Sequence, residues 1–285
     1  MQEQSSSLRQ RPLRSLLFAP GDDERKLRRA LESGADAIVA DLEDAVAPSA
    51  KDAARELTRR LLSEPAGASA RFVRVNAVGT PWFEDDAELV GGLAPDAVVL
   101  PKATPDAADA LAASGLPVIA IVETAIGVRL AFETASRPHV FALLLGAVDL
   151  GAQLGLETRE DGLEIHYARS KLVLDCAAAG IRAPIDIVHV AIDDLDGLAR
   201  QAELARSLGL RGKAAIHPAQ VARINEVFTP SPAELDWARR VLDAGRAAAA
   251  QGRGVINLDG SMVDAAVLLR AARIVAESEG GSDER

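Results

Sequence analysis

The chain has 285 residues, 48% hydrophobic and 26% charged, with a net charge of -10 that opposes a nucleic-acid or anionic-membrane role, since either partner demands clustered Lys and Arg. A single cysteine, Cys176, excludes a disulfide framework and a thiolate metal cluster and is read as a buried structural thiol. The polar stretch 1–11 lacks the apolar run of a signal peptide, and no run approaches the ~18 apolar residues of a membrane helix, so a cytoplasmic protein without a membrane partner is expected.

Short runs rich in Val, Ile and Leu recur along the chain with amphipathic segments between them, the βαβ signature of a parallel sheet. The predicted strands cover 15–20, 37–43, 72–78, 97–102, 117–124, 140–145, 185–190 and 213–217. Eight is the number of a TIM barrel, which commonly uses ~250 residues as one unit. Helices are predicted over 24–31, 52–62, 164–179 and 195–208, with a loop around 151–155, and Gly34, Gly115, Gly180 and Gly209 sit where a helix hands over to the next strand. The expected division is a disordered tail over 1–11, a (β/α)8 barrel over 12–228 and a C-terminal helical extension or lid over 229–285. After the eighth strand come a helix near 220–228, a Pro-rich break at 229–232, a helix over 233–250 and a last helix opened by Ser261 to Asp264. The extension is long enough to cover a barrel mouth, its own or a neighbour's.

A carboxylate that ends a buried parallel strand has left the core and faces whatever binds at the C-terminal rim. Glu43, Glu123 and Asp149 are placed so. Glu123 and Asp149 form the best metal pair, because two carboxylates can reach one Mg²⁺ while water and substrate oxygens complete an octahedron; helix capping or pairing with Arg is the alternative. Glu43 and Asp44 point to opposite faces, so only one lines the site, and Asp44 alternatively caps the next segment. Arg74 and Asn76 share a face with Phe72 one step deeper, and Arg74 has the fork that clamps a carboxylate or polarises a carbonyl, or else forms a salt bridge to Glu43 or Asp149. Lys102 ends the fourth run and is read as a charged contact, since neighbouring carboxylates would keep it protonated and poor as a Schiff-base nucleophile. His217 ends the eighth run as a base, a phosphate contact or a hydrogen-bonded structural group. The other histidines show no zinc-ligand spacing, and no Gly-rich phosphate loop is present. These residues describe a metal-assisted enzyme acting on small carboxylates.

The ordered set Arg14-Ser-Leu-Leu-Phe-Ala-Pro-Gly21, Asp41-Leu-Glu-Asp-Ala-Val46, Arg74-Val-Asn76, Pro101-Lys102, Glu123-Thr124, Gly146-Ala-Val-Asp-Leu150 and Ala215-Ile-His-Pro218 resembles the citrate lyase β-subunit-like family of the HpcH/HpaI aldolase superfamily, which includes malyl-CoA and citramalyl-CoA lyases. The resemblance implies a TIM barrel, usually a homotrimer, that uses Mg²⁺, with Mn²⁺ as substitute, to cleave or form a carbon–carbon bond between a 2-oxo acid and an acyl thioester. It implies Glu123 and Asp149 as metal ligands, Arg74 as the contact to the oxo acid, and Glu43 and Asp44 lining the site or holding waters. Asp264 inherits the role of an acid or base reaching an adjacent subunit's site. Arg14, Lys102 and His217 are further substrate contacts; Arg14, Arg25 and Lys26 are candidates for CoA phosphates, with solvated surface charge as the plainer reading of Arg25 and Lys26. Two positions depart from the family pattern. Val148 stands where members commonly carry Glu before the metal aspartate, and Asp44 stands where the pyruvate aldolases place a histidine, which argues for a thioester lyase. The alternative is the β subunit of a citrate lyase complex with α and acyl-carrier partners, and a third reading is a silent binding subunit.

Overall fold

The computed structural model describes residues 8, 11–65, 67–250, 252 and 255–278, so most of the tail expected over 1–11 lies outside the described residues. Two compact units are present, one holding Leu13–Phe228 and the other Thr229 onward.

The first unit is a TIM barrel. Its strands are β1 (Ser15–Pro20), β2 (Ala37–Asp41), β3 (Ala70–Arg74), β4 (Ala97–Leu100), β5 (Val118–Val122), β6 (Val140–Leu145), β7 (Ile185–Asp186) and β8 (Gly212–Ala215), parallel throughout and closed in chain order. The helices are α1 (Glu24–Leu31), α2 (Lys51–Leu62), α3 (Phe83–Leu93), α4 (Pro105–Asp109), α5 (Ala125–Arg129), α6 (Ala131–Ala135), α7 (Ala147–Leu154), α8 (His166–Ala179), α9 (Leu195–Leu208) and α10 (Pro218–Phe228). The predicted runs overshoot β2, β3, β4, β5, β7 and β8 at their C-terminal ends, because there the chain leaves the ladder for the βα loops while apolar residues continue. Gly34, Gly115, Gly180 and Gly209 all take positive φ, as helix-ending glycines do.

The period of two along each strand sorts the core into layers. Leu16, Val39, Phe72, Val99, Ile119, Ile121 and Leu144 fill the barrel interior. Their neighbours Leu17, Ile38, Ala40, Val73, Val98, Ala120 and Leu143 pack outward against Leu27, Leu61, Leu89, Leu172 and Leu198 of the helices. Extending the inward phase one step toward the rim reaches Phe18, Asp41, Arg74 and Glu123. Alternation alone therefore aims these four side chains into the barrel mouth.

Strand β7 has two residues and meets β6 through a single register pair, Leu144 with Ile185. A buried ionic cluster braces it from outside. Asp186 accepts from Arg169 of α8 at 2.8 and 3.1 Å and from Lys213 of β8 at 2.7 Å, all three side chains at most 1% exposed. Burial disfavours the charge on Asp186, but Lys213 and Arg169 outweigh it and leave the group below the ordinary carboxylate range.

The second unit pairs α11 (Pro232–Ala249) with α12 (Ala265–Ser278) over Ala238, Val241, Val263, Ala271 and Ile274. Ser231 and Glu234 form a capping box at the start of α11. Between the helices lies a hairpin of β9 (Ile256–Leu258) and β10 (Ser261–Val263), where the start of a helix was expected at Ser261. The cause is the turn pair Asp259-Gly260, with φ of 51° and 81°, the positive angles that a two-residue hairpin turn requires. Asp264 follows the hairpin and caps α12, its Oδ1 accepting from the backbone N–H groups of Ala266 and Val267 at 3.0 Å each. Among the described residues, no helix is long and apolar enough to cross a membrane.

Candidate active site at the barrel rim

Asp41 and Arg74 are register partners across β2 and β3, and they meet in a two-pronged ion pair, with Nε to Oδ1 at 2.7 Å and Nη2 to Oδ2 at 2.6 Å. The remaining guanidinium nitrogen, Nη1, lies 2.9 Å from Oε2 of Glu43 and 4.0 Å from Asp44. The ring of Phe18 lies 5.4 Å from the guanidinium and supports it from the interior. Burial opposes the charge on Arg74, but Asp41, Glu43 and Asp44 more than compensate, and the group stays cationic. Sequence reading missed Asp41. Its signal was the shared inward phase of Asp41 and Glu43, which puts Asp41 one step deeper than Glu43 on the same side.

The loop that carries Glu43 is pinned from behind. Lys51 donates to the carbonyl oxygens of Leu42 and Glu43 at 2.6 and 2.7 Å, and Asn76 donates to that of Leu42 at 2.9 Å. Asn76 is itself held by Asp86, which Arg55 anchors at 2.9 Å. Asn76 thus supports the site from below. Glu43 is buried, whereas Asp44 is exposed at the cavity edge and caps nothing, because the next helical turn, Pro48–Ala50, starts from Ala47 without a side-chain cap.

Glu123 follows the last residue of β5, and its Oε1 accepts from the backbone N–H of Lys102 at 2.7 Å. Gly146 makes room for it, since a Cβ at that position would come within 2.6 Å of Oε2 of Glu123. Burial, with added repulsion from Glu43 and Asp149, pushes the Glu123 carboxyl up to about 7. Asp149 is not a strand-end residue. Strand β6 stops at Leu145, and Asp149 lies in the first turn of α7, a helix that replaces the loop expected around 151–155; the two glycines of 146–151 weakened the helical signal. Lys102 takes φ of +49° and places its ammonium 2.6 Å from Glu43 and 3.9 Å from Asp149.

His217 lines the same cavity, and its Nδ1 accepts from the N–H of Ala219 at 3.3 Å, which leaves Nε2 as the protonated nitrogen. Arg14 does not belong to the site. It precedes β1 at the opposite end from Pro20 and clamps Asp36, ahead of β2, through N, Nε and Nη2 at 2.7–2.8 Å. The sequence motif running from Arg14 to Gly21 spans the whole strand, so only its C-terminal end reaches the rim. Asp264 belongs to the second unit.

The rim opens on a cavity of about 750 Å³. One end carries Asp41, Asp44, Arg74, Glu123 and Asp149; elsewhere Val148, Ile187, Ile192 and Ile216 form apolar wall, and Arg25, Lys26 and Arg29 come from α1. Among the described residues, no three His, Cys, Asp or Glu side chains come together as a metal-ligand set. A cation here would take two carboxylates and fill its other positions with water and ligand oxygens, the habit of Mg²⁺. A buried carboxylate with one hydrogen bond, facing two others, is the arrangement such a cation relieves.

Comparison with known proteins agrees with this geometry. The HpcH/HpaI aldolase/citrate lyase profile matches residues 14–218. A (3S)-malyl-CoA thioesterase of Cereibacter sphaeroides is 38% identical over 94% of this chain and 95% of its own length. A citrate lyase subunit beta-like protein of Deinococcus radiodurans is 40% identical over 93% and 96%. The crystal structure of CitE from Mycobacterium tuberculosis, in complex with magnesium, acetoacetate and coenzyme A, superposes with a TM-score of 0.82 at 35% identity, covering 94% of this chain and 99% of that one. The chain belongs to the HpcH/HpaI aldolase/citrate lyase family of enzymes.

Proposed function

We propose that the protein is a Mg²⁺-dependent carbon–carbon lyase that cleaves, or forms, a 3-hydroxyacyl-CoA thioester such as citramalyl-CoA or malyl-CoA, giving a 2-oxo acid and an acyl-CoA. The observation that carries this is the convergence of Glu123 and Asp149 with Arg74 at one end of a cavity edged by three basic side chains of α1. Glu123 and Asp149 would hold the cation, which when bound polarises the oxygen of the 2-oxo group. Arg74, locked by Asp41 through Nε and Nη2, would add a fixed positive charge near that oxygen. The side chains of Arg25, Lys26 and Arg29 edge the cavity and suit the phosphates of CoA. Asp264, carried over from the resemblance, is assigned the proton exchanged with the thioester's α carbon. A homotrimer follows from the same resemblance and predicts light scattering at three chain masses; the mass of a single chain would contradict it.

A second reading is hydrolysis of the thioester, favoured by the name of the Cereibacter sphaeroides relative. Products separate the two: purified protein with malyl-, citramalyl-, methylmalyl- and citryl-CoA, with Mg²⁺ or with EDTA, is assayed in parallel for 2-oxo acid and for free thiol. Metal-dependent 2-oxo acid with the thioester intact supports the lyase; thiol without 2-oxo acid supports hydrolysis. Inertness toward every CoA ester, by a folded protein that binds metal, points to an acyl-carrier substrate, as in a citrate lyase complex.

A further inference from the structure

Lys102 is one of three non-glycine residues with positive φ among those described, the others being Ala94 and Asp259, and it alone of the three stands at the rim. For a residue with a Cβ this backbone is disfavoured, and such outliers persist where the surroundings hold them in place. Here the unusual turn does two things at once. It aims the backbone N–H at Oε1 of Glu123, 2.7 Å away, and it sends the side chain to Glu43 at 2.6 Å, with Asp149 at 3.9 Å. One residue therefore reaches three of the rim carboxylates, Glu43, Glu123 and Asp149.

We propose that Lys102 is a positioning residue with an opposing electrostatic effect: its backbone fixes Glu123 for the metal, while its ammonium occupies the field of Glu43 and Asp149 as a resident cation that weakens binding of free metal. The inference rests on the reading of Glu123 and Asp149 as the metal pair and adds an order of events. Without a ligand, the site holds more carboxylates than cations, and Lys102 is the cation in contact with Asp149. A divalent ion entering beside Asp149 is repelled by that ammonium at short range. A 2-oxo acid brings its own carboxylate, which offsets the repulsion and adds ligand oxygens. Metal is then held firmly only together with the anionic substrate, and until that moment the ammonium offsets the mutual repulsion of Glu43 and Asp149.

Removing one positive charge at this distance, with the site half open to water, strengthens binding of a divalent ion by on the order of tenfold. Conversely, the gain in metal affinity that a 2-oxo acid confers shrinks. The test is direct titration of Mn²⁺, by calorimetry or by the loss of its free-ion magnetic resonance signal, with and without pyruvate. It uses wild type, Lys102→Met, Lys102→Arg, and Glu123→Gln as the control for the metal site. Lys102 is well exposed, and each variant's melting temperature checks that it folds. The expected result is Mn²⁺ bound about tenfold more tightly by Lys102→Met, with Lys102→Arg close to wild type and a smaller pyruvate effect in Lys102→Met. Equal or weaker Mn²⁺ binding by a folded Lys102→Met, with Glu123→Gln impaired, overturns the role of Lys102 and leaves the metal site standing. Binding unaffected by Glu123→Gln, or absent from wild type even with pyruvate present, overturns the metal site and this inference with it.

Discussion

At the scale of single residues, the rim is built by exclusion as much as by contact. Glu123 holds its position because Gly146 has no side chain, so the smallest addition there is a specific probe of the site. Gly146→Ala should displace the Glu123 carboxylate, weaken Mn²⁺ binding at least tenfold in a calorimetric titration, and cost about 1–3 kcal/mol of stability in urea through overpacking. Unchanged Mn²⁺ affinity would mean that Glu123 does not hold the metal. Much of this was readable in advance. Glu123 and Arg74 follow from strand phase; Asp41 shares that phase with Glu43, but its pairing with Arg74 needs the β2–β3 register. Arg14 was misplaced for a related reason, since a motif read along a strand does not say which end faces the ligand. In a parallel barrel that distinction separates function from scaffold.

At the scale of elements, the eight strands and most helices were legible because Val, Ile and Leu runs of strand length alternate with amphipathic stretches. The misses have local causes. Helix α7 was hidden by its glycines, and the β9–β10 hairpin was overlooked although Asp259-Gly260 is a strong two-residue turn signal. The cluster that braces β7 was not legible at all, because Arg169, Asp186 and Lys213 come from three elements. It carries a pH prediction. The native pKa of Asp186 lies below its unfolded value, so the cluster's contribution is complete above about pH 4 and fades as pH falls through the native value. Asp186→Asn should cost about 3–5 kcal/mol by leaving two buried cations unpaired. The urea midpoint of wild type should drop below about pH 4, and that of the variant should drop less over the same range. Parallel acid limbs for the two proteins would remove Asp186 from the explanation.

For the whole molecule, two units on one chain raise the question of which chain completes the site. The family resemblance implies an Asp264 that acts across subunits, and complementation between two variants distinguishes this from action within one chain. Glu123→Gln and Asp264→Asn should each be inactive alone, and mixing the two with exchange of subunits should restore turnover, because some barrels then combine an intact Glu123 with an intact Asp264. No recovery from a mixture proven to contain hybrids would place both residues in service of the same chain's site. Whether the rim carboxylates and a 2-oxo acid share one divalent cation is decided by anomalous diffraction at the manganese edge from crystals holding Mn²⁺ and pyruvate. One strong peak is expected between Glu123 and Asp149, within bonding distance of both and of two pyruvate oxygens. A peak elsewhere, or pyruvate bound without metal contact, would contradict the shared cation.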